Sequence, residues 1–310
     1  MKKVVITGGD GFLGSHLVEA LLETEVEITV CDRFRNDTSR FLEPYRDRIR
    51  MCSGDIRQGD WLGDALAGAD AFYHLIWSGN PALTWTSPLF EVDSNLQTTV
   101  SVFERAAEQG VKKLIFPSSA GALYQPTCGL IDEGAGVRPS TPYGIAKLAA
   151  EEFLGYFSKR FPVSVDIYRI SSLYGPRQPV GRKQGVVAEW CHSIAESQTI
   201  RFFGQGKTVR DYVHVDDAAR LMTTSVKDLE SSQLFNLGSG QGLSLGELLD
   251  IFESQISMPF QVVREARREC DAQEIVLDNQ RLLSKNTSFK FRAIEDEIES
   301  VFQFYSANGK

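Results

Sequence analysis

The chain has 310 residues, 42% hydrophobic and 24% charged, with a formal net charge of −8. That length holds one large domain or a large and a small one, and the acidic balance argues against nucleic acid or an anionic membrane as the main partner. The five cysteines are scattered, odd in number and without CxxC spacing, and the four histidines lack ligand spacing. Neither a disulfide framework nor a metal site is expected, and a reducing cytoplasm is the default. No apolar run reaches the roughly 18–20 residues of a membrane span. The glycines of MKKVVITGG come too early for a secretion signal.

KVVIT (3–7) predicts a buried strand, GSHLVEALLET (14–24) a helix by its apolar spacing, and EITVCD (27–32) a second strand. RIRMCSGD (48–55) and DAFYHLIW (70–77) predict a third and a fourth. SNLQTTVSVFERAAEQG (94–110) reads as a long helix closed by a glycine stop. KLIFPSS (113–119) is a further strand, TPYGIAKLAAEEFLGYFSKRF (141–161) a helix and VSVDIYRIS (163–171) a sixth strand. Strands alternating with helices predict an α/β fold with a doubly wound parallel sheet.

The rhythm changes after residue 172, at the Gly/Pro/basic loop LYGPRQPVGRKQG (173–185). Residues 1–171 are expected to form a dinucleotide-binding domain and 172–310 a smaller α/β substrate domain. A strand–helix pattern resumes at YVHVDDAARLM (212–222), so a return to the first domain is expected near 211–235.

TGGDGFLGSH puts Gly8, Gly11 and Gly14 between a strand and a helix. Glycines there permit a tight turn, close approach of backbone to a pyrophosphate and close helix–strand packing. The helix N-terminus then favours the phosphate charge. Asp32 ends the second strand 18 residues after Gly14, suitably for a ribose 2′-hydroxyl. A carboxylate there repels a 2′-phosphate, which favours NAD over NADP, although Arg33 beside it suits a 2′-phosphate.

Tyr143 and Lys147, in YGIAK, share one helix face at spacing i, i+4. A free tyrosine ionises near pH 10, and a neighbouring ammonium favours the phenolate. Such a tyrosine can take a hydroxyl proton while hydride leaves the same carbon for NAD.

With these motifs in chain order, the sequence resembles the extended short-chain dehydrogenase/reductase family, its NAD-dependent epimerase/dehydratase group and the UDP-galactose (UDP-glucose) 4-epimerases in particular. TGGDGFLG, CDRFRN, GDI (54–56), HLIW (74–77), DSNLQTT (93–99), PSTPYGIAKLAAE (139–151), RISSLYGPRQ (169–178) and GQGKTVRDYVHVDDAAR (204–220) carry it over nearly the whole chain. The resemblance implies that Gly8, Gly11, Phe12, Leu13 and Gly14 hold the cofactor phosphates. It assigns Asp32, Arg33 and Asn36 to the adenosine ribose, and Asp55 and Ile56 to the adenine. Leu75, Ile76 and Trp77 would line the phosphates and nicotinamide ribose, with Ser118, Tyr143, Lys147 and Ile170 also against the cofactor. Asn95 would be the buried polar residue supporting the site. On the nucleotide-sugar side, Arg210 matches the arginine that grips the diphosphate, as a guanidinium can do in bidentate fashion. Arg268 and Asp271, in RECD where the family often has RPGD, would contact phosphate and nucleoside ribose. The backbone of QGVV (184–187), with Val186, would run along the nucleotide. The same resemblance implies a homodimer built by packing 94–110 and 142–160 into a four-helix bundle.

The chain departs from the family at several positions. Ser172 stands where epimerases commonly have a phosphate-contacting asparagine, Gln125 follows the turn's tyrosine in place of glycine, and Ala120 and Ala122 stand where relatives carry Ser or Thr. In FPSSAGALY (116–124) the catalytic hydroxyl is therefore assigned to Ser119, one residue earlier, with Ser118 as second choice. The leading expectation is a NAD-dependent nucleotide-sugar 4-epimerase working through a 4-keto intermediate, with a UDP- or dTDP-linked hexose as substrate. The alternative is a reductase of nucleoside-diphosphate 4-keto-6-deoxyhexoses using exchangeable NAD(P)H. A dehydratase would need DE at 121–122, where this chain has GA. A non-catalytic NAD-sensing protein would more readily have lost Tyr143 or Lys147.

Overall fold

The computed structural model describes all residues except 35–38, 59–60, 80–86, 127–128, 182–184, 197–198, 267–273 and 309–310. The chain divides into two compact units. The first holds Met1–Leu123, Pro139–Arg169 and Ala219–Phe235, and the second Tyr124–Arg138, Ile170–Ala218 and Asn236–Lys310.

The first unit is built on strands β1 (Lys2–Thr7), β2 (Val26–Asp32), β3 (Ile49–Ser53), β4 (Ala71–His74), β5 (Lys113–Ser119), β6 (Ser164–Ile170) and, much later, Gln233–Leu237. Their order across the sheet is Gln233–Leu237, β6, β5, β4, β1, β2, β3. The pairings β1–β2, β1–β4, β2–β3 and β4–β5 are parallel. Near-continuous apolar runs such as VVIT suit strands covered on both faces, and Val4, Val5 and Ile6 are buried. Helices α1 (Phe12–Leu22), α2 (Trp61–Leu66), α3 (Gln97–Glu108) and α4 (Pro142–Arg160) supply the crossovers. Strand order reverses between β1 and β4, the topological switch point outside which such sheets bind ligands.

The helix expected over 94–110 starts earlier and is not uniform. One turn at Pro88–Phe90 leads into a π-helical turn, Glu91–Leu96, before regular α3 begins. Helix α4 starts at the Thr141 cap, whose side chain accepts from the Gly144 amide at 3.0 Å, with Pro142 in its first turn.

The second unit contains β7 (Ser172–Tyr174), α5 (Val186–Ala195), β8 (Thr199–Phe203), β9 (Val209–His214), α6 (Val215–Met222, which crosses into the first unit at Ala219), β10 (Gln233–Leu237), β11 (Gly242–Ser244), α7 (Leu245–Gln255), β12 (Gln261–Glu265), β13 (Glu274–Ile275) and α8 (Ile294–Asn308). Only the last two residues of β10 belong to it, because β10 is the outer strand of the large sheet. The strand of YVHV pairs with β7, β11 and β13 in a small sheet of this unit. The return to the first unit therefore begins at Ala219, beyond that strand. Its core packs Trp190, Ile194, Ile200, Phe202, Leu248, Phe252, Ile298 and Val301. Tyr124–Arg138 also joins it, tied by the bridge Ile131–Leu277 and by the Asn236 amide nitrogen donating to the Ile131 carbonyl at 2.7 Å.

Candidate active site

The turn after β1 forms the floor of the switch point. Gly8 has φ +79°, a backbone state that strains any side chain, and an added Cβ would meet the Ile76 amide nitrogen at 3.0 Å. The loops after β1 and β4 thus touch. A Cβ on Gly14 would stand 2.1 Å from the Gly8 carbonyl, and Gly11 caps α1. Phe12 and Leu13, in the first turn, are half-buried.

Asp32 closes β2 beside this turn. Its carboxylate accepts from the Asp10 amide at 3.3 Å and the Arg33 amide at 2.6 Å, while burial raises its pKa. Arg33 is exposed. Asp55 is gripped by the backbone and guanidinium of Arg57, which hold its carboxyl down at about 2. Ile56 beside it lines a cavity of about 350 Å³ with Arg57, Leu62, Gln97, Ser101 and Arg105. The glycine turn that side chains would fill, with a carboxylate at the end of β2, fits a dinucleotide.

The loop after β4 is fixed from two sides. The Leu75 amide donates to the Thr7 carbonyl at 3.0 Å, while Asn95 accepts from the Ser78 amide at 2.8 Å and donates to its carbonyl at 2.5 Å. His74, held down at about 3 by burial, bridges Thr7 and Thr99.

Ser119, Tyr143 and Lys147 come together at the C-terminal end of β5. The Ser119 hydroxyl lies on the side of the Tyr143 phenol and opposes the upward push of burial, to which the Glu91 charge adds. Lys147 is buried and donates to the Pro117 carbonyl at 2.9 Å. Its ammonium stands 3.9 Å from the Trp77 ring centre and 4.4 Å from that of Phe116. Burial lowers its pKa to about 7, opposed by Glu91 and Glu151. Ser118 is buried and its hydroxyl has no partner among the described residues. Ala120, where relatives carry a hydroxyl, is fully buried at the start of a short helix, Ala120–Leu123.

In the second unit, Ser172 opens β7, half-buried, and Val186 opens α5 behind the left-handed Gly185. Arg210 is half-buried in β9 and donates to the Val209 carbonyl. Ile170 is buried at the end of β6. Asn36, Arg268 and Asp271 lie outside the described residues. Two organising groups escaped sequence reasoning. Asp211 accepts from the amides of Ser239, Gly240 and Leu277. Glu91, 1% exposed, accepts at one carboxylate oxygen from Trp77 and Asn95. Among the described residues no cluster suits a metal ion, and no helix is long and apolar enough to cross a membrane.

Comparison with known proteins agrees with this geometry. The model of the NAD dependent epimerase/dehydratase family matches residues 4–238. The chain belongs to that family, and NAD is the cofactor which the family's description names. The chain is 28% identical over 283 residues to the UDP-glucose 4-epimerase of Mycolicibacterium smegmatis, covering 90% of each chain. It is 24% identical over 307 residues to the dTDP-4-dehydro-6-deoxyglucose reductase of Escherichia coli, covering 97% of this chain and 96% of that one. The crystal structure of Thermus thermophilus UDP-glucose 4-epimerase, a complex with NAD, superimposes with a TM-score of 0.89 at 25% identity and 98% coverage of both chains.

Proposed function

We propose that the protein is a NAD-dependent nucleotide-sugar 4-epimerase acting on a UDP- or dTDP-linked hexose. The buried Lys147, one helical turn from Tyr143 and resting with it on the Trp77 ring at the C-terminal end of β5, supports this reading most directly. The chemistry supplied by bound NAD is acceptance of hydride from sugar C4 and its return to the opposite face of the 4-keto sugar. Tyr143 takes the C4 hydroxyl proton and gives it back when the ketone is reduced, so the proton balance closes at one phenol. Ser119 donates to the phenol oxygen and stabilises the phenolate. The Lys147 ammonium favours the same phenolate by its charge. One of its donors is held by Pro117, which leaves others for the cofactor ribose. Arg210, Arg268, Asp271, Ser172 and Val186 are assigned to the diphosphate and nucleoside of the substrate.

The similarity to a 4-keto sugar reductase over 97% of this chain supports a second reading in which the same site acts once, with exchangeable cofactor. Assay of the purified protein with UDP-glucose, UDP-GlcNAc and dTDP-4-keto sugars separates the two. Tyr143→Phe is expected to abolish turnover while NAD binding persists, and unchanged turnover would overturn both.

The assembly we propose is a homodimer. Leu89, Phe90 and Val92 before α3, and Ile145, Phe153 and Tyr156 on one face of α4, are exposed large hydrophobic residues. A second copy packing on these helices would cover them. Location in the cytoplasm goes with this reading.

A further inference from the structure

Glu91 is an anomaly for its position. A carboxylate 1% exposed ordinarily has a cation beside it or hydrogen bonds at both oxygens. Here one oxygen accepts from the Trp77 indole at 3.1 Å and from the Asn95 amide at 2.8 Å. The other has no partner among the described residues. The side chain is carried by the first residue of the π-helical turn, and single π turns inside helices are frequent at functional sites.

Its partners lead to the reacting groups. The indole that Glu91 holds lies under the Lys147 ammonium at 3.9 Å and meets the Tyr143 ring edge-on, with centroids 6.0 Å apart. Asn95, which Glu91 also holds, pins Ser78 next to Trp77.

We propose that Glu91 is a positioning residue of this active site: through Trp77 it fixes the surface on which Lys147 and Tyr143 rest, and its charge sets the pH window in which the pair works. The proposal depends on the reading of Tyr143 as the proton-transfer group.

Among the described residues, the charged and titratable groups that act on the pair are these. His74 of β4 is neutral through burial. Glu151, one turn beyond Lys147 on α4, is held by Arg169 of β6 at 2.7 Å. Ser119 of β5 acts on the phenol alone and pulls it down. Glu91 is thus the acid that acts on both members, raising the phenol and the ammonium together. Glu151 acts only on the ammonium. Removing the Glu91 charge therefore lets the phenol ionise, and lets the ammonium lose its proton, at lower pH.

The test is the pH profile of kcat for Glu91→Gln, which keeps an acceptor for the indole. Both limbs are expected to move to lower pH, by on the order of one unit. The ratio of variant to parent activity then rises on the acid side and falls on the alkaline side. A merely structural role would lower kcat without moving either limb, and unmoved limbs would overturn the proposal. If Glu91→Gln does not fold, as judged by circular dichroism, Glu91→Met carries the same expectation. Tyrosinate absorbance near 295 nm, taken as the difference between each protein and its Tyr143→Phe counterpart, reads the phenol without turnover. An active Tyr143→Phe enzyme would sink the assignment of Tyr143. An unshifted absorbance titration in Glu91→Gln would sink the role of Glu91.

Discussion

The Lys147 ammonium lies 3.9 Å from the centre of the Trp77 ring and donates to the Pro117 carbonyl, with no carboxylate hydrogen-bonded to it among the described residues. A cation over an indole is stabilised by about 0.5–2 kcal/mol, which offsets only part of the cost of burial.

Lys147→Met is therefore expected to make the cofactor-free protein more stable at neutral pH while destroying turnover. The folded-state pKa of Lys147 is depressed to about 7 from the usual 10.5. Between these values the unfolded chain binds the extra proton, so this group makes stability rise with pH across that window. Below pH 7 the penalty is present in full. Thermal melts at pH 6 and pH 10 should show the Met variant gaining on the parent at pH 6, by on the order of 1 kcal/mol, with the gap closing at pH 10.

Ser119→Ala should lower kcat by roughly 10²- to 10⁴-fold, the scale of a lost proton-transfer partner, with KM little changed. Ser118→Ala, whose hydroxyl has no partner among the described residues, should stay within a few-fold of the parent. Steady-state kinetics of the two variants side by side would reject the assignment if the order were reversed.

Gly14→Ala forces a methyl to within 2.1 Å of the Gly8 carbonyl, and backbone cannot yield as a flexible side chain would. The strain should cost about 1–3 kcal/mol and open the turn that cradles the phosphates. Titration with NAD should then show weakened binding even where the variant remains folded.

Ile145→Glu is expected to give monomers. Ile145 is 56% exposed on α4, so the folded subunit tolerates the change. A charge there would be buried without a partner in the helical interface we propose. Light scattering that reports dimers for the variant would rule that interface out.

The first unit was legible because its signals are local. β1, the glycine turn and α1 follow one another within 22 residues, and Tyr143 and Lys147 need only the helical period to share a face. Ser119 was reachable by counting along one strand. Glu91 was not. The helical period places Glu91 on the face of Asn95, four residues on, but the helix predicted over 94–110 begins after it, and no local pattern announces a carboxylate buried against Trp77. The place of Tyr124–Arg138 in the second unit depends on Ile131 meeting Leu277, a pairing that no local pattern announces. The return near 211–235 was legible, since the first unit resumes at Ala219; the pairing of the YVHV strand was not, because its partners β7, β11 and β13 come from three separate stretches of chain.

Strand β10 lies beside β6 in the large sheet although more than sixty residues of chain separate them. Contacts of such long sequence separation slow folding, since the intervening loop must close before they form. As the chain emerges from the ribosome, β6 remains an unpaired edge until residues 233–237 have been made. An exposed edge is an invitation to another strand. Biosynthesis of this enzyme thus has a vulnerable interval, longest where translation is slow. The buried Lys113–Asp166 pair, with Lys113 donating to the Ser231 carbonyl just ahead of β10, ties that edge down once the late strand arrives.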